Sequence, residues 1–260
     1  MGVTKMVRVI IVFYLFVLQF IYADLLTTGS FGIKPLLFSE NNVLLSPAAE
    51  EYRGYDITVW SAGVFLPFGR YKLLPYVTSL DSEGYYTETS VFLNNTFFVY
   101  DFGSDVVGSG VYIILVPKLI NRSYGKLAET GDPAFRKITK AAVDIGVFIK
   151  YHKISGFVYS KNLNRPNFGV VESDIVKPEE GVKIYFNWRT FWLSIGWQSG
   201  EAYSGELIVN YPSFCNLFVS KTSDSVSYGL SLNIYKIVFG FKYTIFEFTT
   251  KPMLFLEYRL

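Results

Sequence analysis

Few residues in this chain are of a kind and spacing that could carry out bond chemistry. There is one histidine, His152, and one cysteine, Cys215. A Ser-His-acid arrangement would have to use His152, which sits in a predicted tight turn between Tyr151 and Lys153, away from any predicted cleft. A histidine-rich metal site is excluded by the same count. Cys215, in the stretch SFCNLF, reads as a small apolar residue packed in a strand rather than as a nucleophile. Glu179-Glu180 is a paired carboxylate on a predicted loop, where a solvated charge pair is the default. The glycine-bearing stretch GSDVVGSG, residues 103–110, links two strands and does not lead from a strand into a helix, so it is no phosphate cradle. Asn121-Arg122-Ser123 matches a glycosylation sequon, which is not bond chemistry performed by the chain. No catalytic, cofactor-binding or metal residue is assigned, and no enzyme activity is expected.

The elements around these residues say more. The chain has 260 residues, with 20 Tyr, 24 Phe and only 18% charged residues. That favours strand formers over the charged helix formers. Mean hydropathy is +0.28, yet no internal run approaches the roughly 18 apolar residues of a membrane helix. The one long apolar run is at the start, MGVTKMVRVIIVFYLFVLQFIYA. Lys5 and Arg8 form a basic region, Val9 to Ile21 an apolar one, and Tyr22-Ala23 a cleavage junction, so residues 1–23 read as a secretory signal peptide. Its removal takes away Lys5 and Arg8 and no acidic residue, leaving 22 basic against 22 acidic residues. A near-neutral chain without a basic cluster argues against nucleic acid as a partner. One cysteine permits no intrachain disulfide, and export without disulfides fits a bacterial envelope protein.

From about Tyr55 onward, alternation with period two dominates. In KIYFNWRTFWLSIGW, residues 183–197, Ile184, Phe186, Trp188, Phe191, Leu193, Ile195 and Trp197 all fall on one side of a hairpin. Val226, Tyr228, Leu230, Leu232 and Ile234 do the same in SVSYGLSLNIY. These faces hold no charge, which suits lipid, where Lys or Arg at the midplane costs about 2–4 kcal/mol. Trp188, Trp197 and Tyr151 stand at strand ends, where interfacial aromatics belong. Strands are predicted at 55–66, 70–79, 85–94, 96–103, 107–118, 140–151, 154–163, 181–189, 191–199, 203–211, 213–222, 225–235, 237–248 and 252–260. They fill roughly 60% of the mature chain, far above the usual strand content of globular domains. The expected fold is an all-β, closed antiparallel transmembrane β-barrel of about fourteen strands, with twelve as the alternative count. It spans residues 55–260 and follows an N-terminal arm or plug segment, 24–54.

The two longest connections, 119–139 and 164–180, fall on one side of such a barrel. The tight ones at His152-Lys153, Thr190, Pro212 and Tyr235-Lys236 fall on the other, the usual contrast between outer loops and periplasmic turns. Asn94-Asn95, read as a tight outer turn, breaks the pattern and points to a misassigned strand before residue 100. The inward face carries Asp144, Lys150, Lys183, Arg189, Lys242, Glu257 and Arg259. They are expected as lumen charges that pair with one another, because unpaired charge away from water is expensive. The chain ends in PMLFLEYRL, an amphipathic strand similar to the closing strand of outer-membrane barrels, although such strands usually end in Phe or Trp where Leu260 stands here.

Two stretches carry a family resemblance. FSENNVLLSPAAEEY, residues 38–52, resembles the segment preceding the first strand in barrels of the fatty-acid-transporter type and in related barrels of type IX secretion, with Ser46-Pro47-Ala48-Ala49 in place of an asparagine-proline-alanine core. DIGVFIKYHKISGFVYSKNLNRPNFG, residues 144–169, is similar to their paired strands, with the step Asn162-Leu163-Asn164-Arg165-Pro166. The resemblance implies a barrel of about fourteen strands with its N-terminal segment near the lumen; the expected setting is the bacterial outer membrane, with lipid around the barrel. It also implies one of two roles: passage of hydrophobic small molecules, or partnership with envelope or secretion proteins. The reading favoured is a narrow channel or transporter for small or hydrophobic solutes without cofactors. The alternatives are a structural or secretion partner and a soluble exported β-sandwich.

Overall fold

The computed structural model describes residues 44–52, 57–83, 85–103, 109–125, 137–169, 175–188, 191–199, 201–211, 215–222, 225–235, 237–246 and 250–259. The predicted signal peptide, residues 1–23, and residues 24–43 of the predicted arm lie outside this set. The architecture is all-β. In chain order the strands are β1 (Leu44–Tyr52), β2 (Ile57–Phe68), β3 (Tyr71–Ser82), β4 (Tyr86–Asp101), β5 (Gly110–Ser123), β6 (Ile138–Tyr151) and β7 (Ile154–Lys161). They continue as β8 (Glu179–Asn187), β9 (Phe191–Gln198), β10 (Glu201–Tyr211), β11 (Cys215–Lys221), β12 (Ser225–Ile234), β13 (Ile237–Phe246) and β14 (Thr250–Arg259). Each strand pairs antiparallel with the next, and β1 pairs along its other edge with β14, Ala48 opposite Phe255 and Glu50 opposite Met253.

The sheet has two unlike faces. On β9, Ser194 is 3% exposed and its neighbour Ile195 is 54% exposed; the same alternation runs along β5, β6 and β12. Val182, Ile184, Trp188, Ile195 and Trp197 of the β8–β9 hairpin are all exposed, and Phe186, Phe191 and Leu193 are half-buried. Among the described residues no second layer of the molecule covers this greasy side, which overturns the β-sandwich alternative. The core lies on the enclosed face.

Three expectations are corrected. Asn94-Asn95 is not a turn, because β4 runs unbroken from Tyr86 to Asp101. Its ladder pairs Leu74 with Asn94 and Leu73 with Asn95, and the two amides find partners without bending the chain. Thr96 Oγ1 donates to Asn94 Oδ1 at 3.0 Å, and Tyr71 Oη donates to Asn95 Oδ1 at 2.7 Å. Asparagine signals turns in sequence because it bonds nearby backbone; here Asn95 Nδ2 donates to Leu93 O at 2.7 Å within an extended strand, and the ladders to β3 and β5 keep the chain straight. Second, the expected arm or plug does not extend to residue 54, since Leu44–Tyr52 is a strand, and this also removes that stretch from the role of a segment preceding the first strand. Ser46-Pro47-Ala48-Ala49-Glu50-Glu51 lacks apolar alternation, so only the free edges of β2 and β14 draw it into the sheet. Third, Glu179 and Glu180 open β8 and are not on a free loop.

With β1 added and the two predicted front strands merged, both long connections still fall at one end of the sheet. Connections 124–137 and 162–178 share one end. The connections after β2, β6, β8, β10 and β12 are short and share the other, where only 102–109 is longer. Two-residue turns there use left-handed residues, His152 (φ 50) and Tyr235 (φ 55), as tight hairpins with right-handed strand twist require.

Candidate functional site

Among the described residues, buried side chains crowd the enclosed face along β4 to β8. Alternation on β5 points Tyr112, Ile114, Val116, Lys118, Ile120 and Arg122 inward. On β6 and β7 the inward set includes Phe148, Phe157 and Tyr159. Tyr112, Ile114, Val116, Phe148, Phe157, Tyr159 and Tyr185 form one buried cluster that also includes Val238 of β13, with Phe92 and Phe98 packed against it. Register makes room for the rings. Tyr159 lies opposite Gly181, and a side chain at Gly181 would collide with that ring. Phe98 likewise covers Gly110. Tyr76 and Phe92, paired across β3 and β4, stack with centroids 4.2 Å apart.

Above this apolar layer, toward the long-connection end, charges appear in pairs. Asp144 is 0% exposed. Lys118 Nζ lies 2.7 Å from its Oδ1 and 3.0 Å from its Oδ2, and the Asn162 backbone N–H donates to Oδ1 at 2.8 Å. A buried carboxylate held by an ammonium and an amide is the satisfied arrangement that burial demands. Nearby, Lys161 Nζ donates to Glu179 Oε2 at 2.8 Å, Gln198 Nε2 donates to the same oxygen at 3.2 Å, and Tyr159 Oη donates to Gln198 Oε1 at 2.8 Å. On the β4–β5 side, Arg122 Nε donates to Glu88 Oε2 at 2.7 Å, and Tyr86 Oη donates to the same carboxylate at 2.6 Å.

The connection after β7 folds over this mouth. Pairing of β6 with β7 stops at Ile145 and Ser160, leaving the next backbone groups of β6 to be satisfied otherwise. The Leu163 N–H donates to Val143 O at 3.0 Å. The Asn164 side chain then acts as a substitute strand: Oδ1 accepts from Val143 N–H at 3.1 Å, and Nδ2 donates to Ala141 O at 2.9 Å. Farther along, Asn167 bridges Ile175, and the Val176 N–H donates to Pro166 O at 3.0 Å. This fastening delivers Phe168, 3% exposed, onto the inward residues Ile120 and Ala142, with Ile138 and Val176 beside them. The Arg122 guanidinium lies 3.9 Å from the centre of the Phe168 ring.

Of the seven predicted lumen charges, Asp144 and Lys150 are buried on the enclosed face. Lys183 and Lys242 are half-buried and share that face with their register partners Phe157 and Met253. Glu257 and Arg259 lie on β14, opposite Val238 and Leu44, with side chains outside the described set. Arg189 lies outside the described residues. Sequence reasoning missed Lys118, Arg122, Glu88 and Phe168. Lys118 and Arg122 carry a signal in the sequence, since both share the parity of Tyr112 and Ile114. Nothing in the sequence of the loop singles out Phe168. His152 is an exposed turn residue as expected, its ring edge-on to Tyr151 at 4.4 Å, and Cys215 opens β11 half-buried.

No family model and no curated protein sequence matches the chain. Among solved structures, the fold is similar to that of the Pseudomonas putida toluene transporter TodX, with a TM-score of 0.57 at 6% identity over 93% of this chain and 99% of that one. A triple mutant of Rhodopseudomonas blastica porin aligns over 84% of this chain and 99% of its own, at 7% identity and a TM-score of only 0.39. The first of these likenesses is one of fold: an antiparallel barrel.

Proposed function

We propose that this chain is an integral outer-membrane barrel of bacteria, closed by fourteen strands through the β1–β14 pairing, and that it passes small hydrophobic solutes through a narrow, side-chain-filled lumen. In this reading residues 1–23 are a signal peptide that directs export. The observation that carries it is the inversion of the usual soluble arrangement. Apolar Ile184, Ile195, Leu217, Val219 and Leu230 are exposed while Asp144, Lys118, Lys150, Ser194 and Ser231 are buried. Uncovered apolar strands on this scale would aggregate in water and are stable against hydrocarbon.

The solute class follows from the apolar layer. A hydrated ion would have to shed water beside Tyr112, Phe148 and Phe157 with little to replace it. A small apolar solute loses nothing there and meets rings that can shift rotamer. Likeness in fold to a toluene transporter agrees with this class. The filled lumen also favours a second reading, a barrel that acts as a structural or secretion partner and conducts nothing.

Fractionation decides the membrane assignment. The protein should require detergent for extraction and migrate differently in gels before and after boiling; recovery from the periplasm without detergent would refute it. Proteoliposomes then separate the two roles. Uptake of a small aromatic hydrocarbon above that of empty vesicles supports transport, and uptake equal to empty vesicles moves the assignment to the partner role.

A further inference from the structure

The Phe168 ring has the surroundings of a bound ligand. It belongs to a connecting segment, yet it is as buried as the core, beneath a cation and upon an apolar floor of Ile120, Ala142 and Ile138. Floor and cation both belong to the barrel wall, on β5 and β6, and among the described residues the loop supplies to this contact the ring and Val176. Loop fastening does not depend on the ring. Leu163 and Asn164 already tie the segment to Val143 and Ala141 through three hydrogen bonds. Arg122 is held independently of the ring as well, by Glu88, which Tyr86 steadies from the other side. The wall therefore presents a preformed slot for one flat ring: an apolar base, and a guanidinium whose face attracts π electrons.

We propose that this slot at the long-connection mouth is a binding site for a planar aromatic solute, and that Phe168 is its built-in occupant, displaced when the solute arrives. The inference rests on the transport reading and deepens it by naming the solute class and the point of capture. Displacement makes the site selective. A saturated ring of the same size fits the apolar floor but gains nothing from Arg122, so it competes poorly with a phenyl ring already in place. Because the solute must replace an intramolecular contact, capture is weak and readily reversed, which suits passage onward to the apolar layer near Val116 and Tyr112.

The test uses the full chain in detergent micelles, with 4-fluorophenylalanine placed at position 168 or, separately, at position 157, read by fluorine NMR. Toluene should move the position-168 resonance saturably, and at a concentration at least tenfold lower than methylcyclohexane requires. The position-157 resonance should respond less and without that preference. Arg122→Leu should abolish the preference for toluene. Glu88→Gln, which removes the charge that holds Arg122 over the slot, should reduce that preference, and serves if Arg122→Leu fails to show the heat-dependent gel shift of the folded protein. A position-168 resonance that stays fixed up to toluene saturation, or that answers both solutes equally, overturns the proposal. Failure of vesicle uptake with the resonance still moving would remove the transport reading and leave the binding site; uptake with a fixed resonance would do the reverse.

Discussion

The wall formed by β4 to β8 and the wall formed by β9 to β13 show the same face outward and opposite faces inward. Outside, Ile113, Val147 and Val158 on the first wall match Ile195, Leu217 and Leu230 on the second. Inside, among the described side chains, the first wall carries Phe92, Phe98, Tyr112, Phe148, Phe157 and Tyr159, whereas the second carries Ser194, Gly196, Ser227, Gly229, Ser231 and Thr244 beside Val238 and Lys242. Among the described side chains, the large ones cluster on the first wall and most of those facing them from β12 and β13 are small. Val238, on the far wall, joins the same buried cluster as Phe148, so the filling reaches across. A lumen of this width is packed like a core, from one side. Such asymmetry predicts that substitutions in the first wall strike stability and permeation together, while those in the second wall act mildly and locally.

The largest effect is expected at Asp144. Asp144→Ala leaves the Lys118 ammonium, 8% exposed, without its carboxylate, and removing one member of a buried pair costs about 3–5 kcal/mol. Denaturant unfolding in micelles, followed by the heat-dependent gel shift, measures it. A loss below about 1 kcal/mol would mean that water reaches this pair and that the first wall is not packed as described. Next comes Phe157→Ala. Removing a ring that is 0% exposed costs about 3 kcal/mol through lost contacts and the cavity left behind. The same change should raise conductance in planar bilayers, because the apolar layer thins where Phe157 meets Phe148. Unchanged conductance would place the barrier elsewhere, at the mouth where Phe168 lies.

The outward face was legible in the sequence and the inward contents were not, for a physical reason. Outward positions repeat a single apolar requirement, so Ile184, Ile195 and Leu230 declare themselves by parity alone. Inward positions answer to whatever stands across the lumen, and parity says nothing about that. Asp144 was recognisable as inward, but its partner Lys118 lies on the neighbouring strand with its own parity, and only the register of Val116 opposite Asp144 brings them near. Asn94-Asn95 and Ser46 to Glu51 were misread because short-range turn signals and weak alternation outweigh strand pairing in sequence, whereas in the sheet the unsatisfied edges of neighbours decide. Phe168 was unreadable because its burial depends on where Asn164 fastens the loop.

Leu230 tests whether the outer faces are equivalent in kind. It is 40% exposed at the middle of β12. Leu230→Arg should cost about 2 kcal/mol or more for the protein folded in a bilayer, by the midplane penalty for arginine. A surface facing water would register a change within about 0.5 kcal/mol. Folding into vesicles of phosphatidylcholine, compared with the parent chain, reads the difference directly. A neutral result would detach this face from lipid and break the equivalence of the two walls.

The smallest effect sharpens the comparison most. Ser227 and Thr244 face inward from the second wall, and their hydroxyls lie 2.9 Å apart in a buried contact. Ser227→Ala removes one partner and leaves a buried hydroxyl to find another, which costs about 1 kcal/mol in a dry site. Ser227→Ala with Thr244→Val removes both and should restore most of that loss, since apolar groups of similar shape need no partner. This cycle distinguishes a dry second wall from a hydrated one. If the single substitution is neutral, water already serves Thr244, and the small residues of the second wall line an aqueous strip beside the aromatic filling. In that case the two walls differ in solvent as well as in side-chain size, and a polar solute would have a path along Ser227 and Ser231 that avoids Phe148.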